Sequence, residues 1–160
     1  MTKKEWVNHL QLLPHPEGGF YRETYRSKLD INVKDIGKRN LSTGIYFLLE
    51  RENFSAFHRI RSDEMWHHYA GDPLLVHMID AYGNYSNQKI GNDILNNELP
   101  QFVVPAGVWF ASEVVQGGDF SLVGCTVAFG FDFQDFELAD RVKLVEQYPK
   151  HESIIRQLTR

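Results

Sequence analysis

Between Phe57 and Gly71 the chain reads Phe-His-Arg-Ile-Arg-Ser-Asp-Glu-Met-Trp-His-His-Tyr-Ala-Gly, which gathers His58, Glu64, Trp66, His67 and His68 into one short stretch. Imidazole and carboxylate are the side chains best suited to exchanging protons near neutrality. On a strand alternate side chains share a face, so Glu64, Trp66 and His68 fall together and His67 falls on the other side. An inward carboxylate costs free energy unless it is paired. That makes Glu64 either a working group or one half of a structural ion pair, with Arg22 or Arg59 as partner. His58 is read as a pocket residue, against the rival of a hydrogen-bonded structural histidine. His67 is assigned to the surface.

The segments that must hold these residues are short strands. Runs rich in β-branched and aromatic residues span 20–26, 43–49, 55–59, 64–69, 74–79, 85–90, 101–104, 108–113 and 121–129. Turn residues separate them, as in Gly71-Asp72-Pro73, Tyr82-Gly83-Asn84, Pro105-Ala106-Gly107 and Gln116-Gly117-Gly118-Asp119. Many short strands with regular turn signals predict an all-β sandwich or barrel. No helical run of useful length interrupts them, which argues against alternating βαβ units. Thr2 and Glu5 have capping-box spacing, and Trp6, Val7, Leu10 and Leu13 follow at helical intervals, predicting a helix over about 3–12. After Phe136 two short helices are expected, separated by Pro149. One domain is expected over 1–160, with the barrel over about 18–136.

Composition narrows the function classes. Acidic residues outnumber basic ones, 21 to 17, and the basic ones are scattered, so the footprint that nucleic-acid binding needs is missing. No apolar run is long enough for a membrane span, and no leader peptide is visible. Cytoplasmic localisation is the expectation. The single cysteine, Cys125, lies in an apolar run and reads as a small core residue. His77 reads as packing or interface, and His15, near the Gly18-Gly19 turn, as a residue able to approach the pocket.

Two motifs point to a family. His58, Glu64 and Gly71 fall on three places of the first cupin motif, with Ile60 where its second His should stand. Pro105-Ala106-Gly107-Val108-Trp109-Phe110 resembles the second motif, with Phe110 at its metal-binding His. Together with His15-Pro16-Glu17-Gly18-Gly19-Phe20-Tyr21, Ser121-Leu122-Val123-Gly124-Cys125-Thr126-Val127 and Gly130-Phe131-Asp132-Phe133, the chain resembles the uncharacterised cupin-5 subfamily over nearly its whole length. The resemblance implies a cupin double-stranded β-helix, or jelly-roll barrel, and a homodimer. It leaves the activity open.

Within that barrel three readings stand. In the first, His58 is a general base and Glu64 its partner or acid, in an isomerase or epimerase acting on a sugar-like or polar carbonyl compound. Metal-free cupins that epimerise dTDP-keto-sugars look similar, although Ser55-Ala56-Phe57 precedes His58 where those enzymes carry an Arg, and no Tyr matches their acid. Phosphate groups on such a substrate call for cations, and Arg22, Arg26, Arg59 and Arg61 are the candidates. In the second, His58, Glu64 and His68 hold a divalent metal, since imidazole and carboxylate suit Fe, Mn, Ni or Zn. His68 would then sit one strand repeat deeper than the motif requires. In the third, the barrel only binds a small polar ligand. Glu17, Arg22, Tyr46, Trp66, His68 and Trp109 complete the expected pocket, with both tryptophans filling the barrel. No cofactor beyond that metal is expected.

Overall fold

The computed structural model describes residues 1–15 and 18–160. The strands are β1 (Leu13–Pro14), β2 (Phe20–Arg26), β3 (Asp30–Val33), β4 (Gly37–Asn40), β5 (Thr43–Glu50), β6 (Phe54–Arg59), β7 (Asp63–Gly71), β8 (Leu74–Ile79), β9 (Tyr85–Ile90), β10 (Glu98–Leu99), β11 (Gln101–Val104), β12 (Trp109–Val114), β13 (Phe120–Ala128) and β14 (Glu137–Leu138). The helices are α1 (Lys3–His9), α2 (Arg141–Gln147) and α3 (Glu152–Gln157).

Two six-stranded sheets face each other as a jelly roll, in the orders β1-β2-β5-β13-β7-β11 and β10-β9-β8-β12-β6-β14. Alternation along the strands explains how each face is filled. On β5, Phe47 and Leu49 point between the sheets, while Tyr46 and Leu48 point outward beneath α1. On β6 and β12, Phe57, Trp109 and Ala111 point outward beneath α2 and α3. Both faces are therefore covered in places, which is why Ile45-Tyr46-Phe47-Leu48-Leu49 reads as a continuous apolar run. Each fully buried leucine or phenylalanine in these layers contributes about 2 kcal/mol. Between the sheets, Trp66, Leu74, Val76, Phe110 and Val123 pack one end of the barrel solid. The other end is hollow.

Helix α1 carries the expected capping box, Thr2 and Glu5 each accepting from the other's backbone N–H. It ends at His9, short of the expected 12. Leu10 caps it, and Gln11 takes the left-handed conformation at φ 53°, turning the chain before Pro14 is reached. The β3–β4 hairpin has no counterpart in the sequence reading. Its strands are mostly exposed, so no apolar alternation marks them, and its turn rests on positive φ at Asp35 and Gly37.

The two motif turns are tied together. Asp63 accepts the Ala106 N–H at 2.9 Å, and the Ile60 carbonyl accepts the Gly107 N–H at 2.8 Å. At Gly71, φ is +85°, and a Cβ there would run into the carbonyl of Phe120, so the motif's glycine answers both a backbone and a packing demand.

Candidate functional site

The hollow end encloses a cavity of about 500 Å³. Strand β6 delivers His58 to it and β7 delivers Glu64 and Trp66; β2 adds Tyr21, Glu23 and Arg26. The segment after β13 closes one side with Phe131, Asp132, Phe133 and Phe136. Most of the wall is aromatic or aliphatic, so the cavity is less polar than the sequence reading supposed.

His58 is 9% exposed, and its Nδ1 lies 2.7 Å from the Ala56 carbonyl. A carbonyl only accepts, so Nδ1 carries the proton and Nε2 keeps its lone pair. Burial is the main reason its pKa falls to about 4, and nearby His15 lowers it further. The ring stacks on Phe136 at 5.1 Å and lies 4.1 Å from Phe110. His58 is thus a neutral imidazole with its tautomer set by the backbone.

Glu64 is equally buried, and burial raises its pKa to about 7. The Cys125 thiol donates a hydrogen bond that offsets this in part, and the same pairing and burial push the thiol's own pKa well up. Neither expected ion-pair partner reaches Glu64. Arg22 donates from Nη1 to the Leu10 carbonyl and to Gln11, both at 3.0 Å. Arg59 pairs with Glu137 at 2.6 Å and lies over Trp109. Among the described residues no cation forms a salt bridge with Glu64.

Four expected pocket residues lie elsewhere, and alternation explains three of them. Arg22 and Tyr46 face each other in register on the outer side of the first sheet. Tyr46 packs there with Leu48 and Leu122, edge-on to Tyr69. Trp109 follows the same rule, being next to inward Phe110, and packs against α2 and α3. Trp66 alone of the two tryptophans faces the interior, with its ring edge-on to Phe47 and Phe110. His68 keeps the inward parity of Glu64, but four residues of strand carry it about 13 Å further along. There it meets Asn92 at 3.1 Å and the Asp72 carbonyl at 3.3 Å, beside a separate open cleft. Of the four arginines suggested for phosphate, only Arg26 lines the cavity. Glu17 lies outside the described residues.

The cavity also contains groups that the sequence reading did not assign to it. Glu23 binds Arg26 through both carboxylate oxygens, at 3.0 and 2.7 Å. Phe131, Phe133 and Phe136 pack edge to face. The turn that carries them is pinned by a buried ion pair, Arg39 to Asp135, at 2.6 and 2.8 Å. The Gly130-Phe131-Asp132-Phe133 sequence is the signal that could have found this wall.

The chain matches the family described as "Cupin superfamily (DUF985)" over residues 4–139. It belongs to the cupin superfamily. A hypothetical protein from Leishmania major has a solved structure similar to this cupin's, at TM-score 0.95 and 40% identity over 99% of each chain. Protein SO0799 from Shewanella oneidensis is similar at TM-score 0.89 and 42% identity, over 100% of this chain and 98% of that one. An uncharacterised protein of Saccharomyces cerevisiae is 32% identical over 148 residues, 82% of this chain and 72% of the relative.

A cupin metal centre does not fit the donors present. Ile60 and Phe110 supply hydrocarbon where the motifs place imidazole, and His68 is remote. Among the described residues no three His, Cys, Asp or Glu side chains converge as a metal-binding group. Nor is any helix among them long and apolar enough to cross a membrane.

Proposed function

We propose that this cupin binds a small organic molecule in the barrel cavity and relocates a proton within it, as an isomerase, epimerase or tautomerase of a carbonyl compound. One observation carries the reading: a carboxyl with no counter-ion among the described residues and a neutral imidazole with an unprotonated Nε2 line the same largely apolar cavity. A structural carboxylate would be paired, since burying it alone costs several kcal/mol. An acid–base catalyst works best when it changes protonation near the working pH, and Glu64 does so. The reading therefore exchanges the roles expected from sequence. Glu64 takes the proton from a carbon beside the carbonyl and returns it to the other face or to a neighbouring atom. The negative charge passes from Glu64 to the enolate and back as that proton leaves and returns, and neutral His58 accepts a hydrogen bond from a hydroxyl the substrate already carries. Atoms balance without a cofactor.

The test is a thermal-shift screen of carbonyl compounds, followed by proton NMR in D₂O of those that bind. Exchange of a substrate C–H for deuterium, lost in Glu64→Gln and reduced in His58→Ala, supports the reading. Exchange that survives Glu64→Gln removes Glu64 from it. Binders that never exchange or turn over leave a binding protein.

Self-association is a second proposal. Strand β11 is the outer edge of its sheet, and Val103 and Met65, paired in register, are exposed there near exposed Tyr69. Such an apolar sheet edge favours cover by a second copy of the chain. Light scattering behind size exclusion should give twice the 18.6 kDa chain mass, falling to one chain in Val103→Glu.

A further inference from the structure

We infer that the cavity selects a small organic cation, an amine or quaternary ammonium on an apolar body, over anions of the same size. This rests on the reading of the cavity as a small-molecule site and names the ligand class. Two independent features converge. The first is the wall. Tyr21, Phe47, Trp66, Phe131, Phe133 and Phe136 present aromatic rings around the space, and Phe133, largely exposed, stands at the outer end. Ring faces carry negative quadrupole potential and attract cations, most strongly where water is excluded.

The second is the charge inventory. The described lining contains Glu23, Asp132 and Glu64 against one permanent cation, Arg26. That cation is occupied. Its Nε and Nη2 donate to Glu23, and its Nη1 donates to Asn40 Oδ1 at 2.9 Å and to the Phe131 carbonyl at 3.1 Å. An incoming phosphate or carboxylate would have to break these bonds, and no other described arginine or lysine lines the cavity. Both lining histidines, His15 and His58, are held toward the neutral form by burial, and Arg160 near His15 acts in the same direction. The acidic excess is one formal charge while Glu64 is protonated and two once it ionises.

Glu64 makes the selection pH-dependent. Cys125 from β13 bonds to it, and the other titratable or charged groups of the described lining are His58 from β6, Tyr21, Glu23 and Arg26 from β2, Asp132 from the closing segment, and His15. Burial brings the ionisation of Glu64 to about pH 7. A bound cation favours its ionised form, so affinity should rise as pH climbs from 6 to 8. A cationic substrate also suits the proposed chemistry, because an ammonium group beside a carbonyl acidifies the intervening C–H.

The experiment uses three probes of similar size: benzyltrimethylammonium, benzyl alcohol and benzenesulfonate. Each is titrated by calorimetry and by Trp fluorescence at pH 6 and pH 8. The expected result is binding of benzyltrimethylammonium about tenfold tighter than benzenesulfonate at pH 8. It should weaken at pH 6. Glu64→Gln should lose the pH dependence, and Phe133→Ala, at an exposed position, should weaken the ammonium probe more than benzyl alcohol. Equal or tighter binding of benzenesulfonate overturns the inference. Binding of benzyl alcohol alone also overturns it but leaves the small-molecule reading standing. Failure of all three probes removes both.

Discussion

Phe110 stands directly across from His58 on the neighbouring strand, with the two ring centroids 4.1 Å apart. The second cupin motif places a metal-binding imidazole at Phe110, so here a hydrocarbon ring packs against His58 instead. That contact dries the imidazole and contributes to its neutrality. The carboxyl of Glu64 lines the same cavity, and burial holds it protonated to an unusually high pH. One substitution thus changes the chemistry open to both groups.

The first prediction concerns stability and pH. Glu64 ionises at about 7 in the folded chain against 4.5 for an ordinary glutamate. Below pH 4.5 both folded and unfolded chains keep the proton, and nothing is lost. Between 4.5 and 7 the unfolded chain releases it first, so stability falls; above 7 the loss is complete at about 3 kcal/mol. Glu64→Gln removes this loss. Its advantage over wild type in urea unfolding should grow by about 3 kcal/mol from pH 4.5 to 8. An advantage that stays flat with pH would mean that the carboxyl is solvated.

The second concerns His58. Its Nδ1 donates to the Ala56 carbonyl, and burial holds its pKa near 4. Nitrogen-15 NMR should find the ring neutral at pH 5.5, with the proton on Nδ1. A ring already protonated at that pH, or one carrying its proton on Nε2, contradicts the geometry.

The third concerns the aromatic wall. Arg39 and Asp135 are both nearly inaccessible and form a two-point ion pair. Removing one partner leaves the other charge in a poorly accessible position without its two-point partner. Asp135→Ala should therefore destabilise strongly, while Arg39→Met with Asp135→Leu should recover much of the loss. A single variant within about 0.5 kcal/mol of wild type, the scale of an ordinary surface substitution, counts against a structural role.

The fourth concerns metals. With hydrocarbon at positions 60 and 110, a divalent ion finds too few ligands in the cavity. Saturating Mn, Fe, Ni or Zn should leave the melting temperature unchanged to within about 1 °C, whereas tight binding to the folded state would raise it by several degrees. Such a rise, abolished by His58→Ala, would restore the metal reading.

Much of the fold was legible because alternation and turn residues are local signals. The runs at 20–26, 74–79, 85–90 and 101–104 match their strands to the residue. The cavity was legible where a motif marked it, at His58 and Glu64. It was illegible where facing depends on which sheet a strand joins and what covers its back. Tyr46 and Trp109 are aromatic residues in apolar strands, and nothing in their neighbourhood says that helices shield their side of the sheet. His68 has the expected parity, but periodicity carries no information about depth along the barrel. Arg26 stands among the candidate cations, but its partner Glu23 was hidden for another reason. The two lie three residues apart, and a register shift between Glu23 and Tyr25 interrupts the alternation of β2.

The cavity takes Tyr21 and Arg26 from the beginning of the barrel and Phe131 to Phe136 from beyond its last long strand. The bond between Arg39 and Asp135 joins those two regions across 96 positions of sequence. During synthesis the binding chamber is therefore closed late, after the long strands that frame it have been made. A chain ending near residue 128 would own those strands but leave the chamber open along one flank, and the wall would arrive only with residues 131–136.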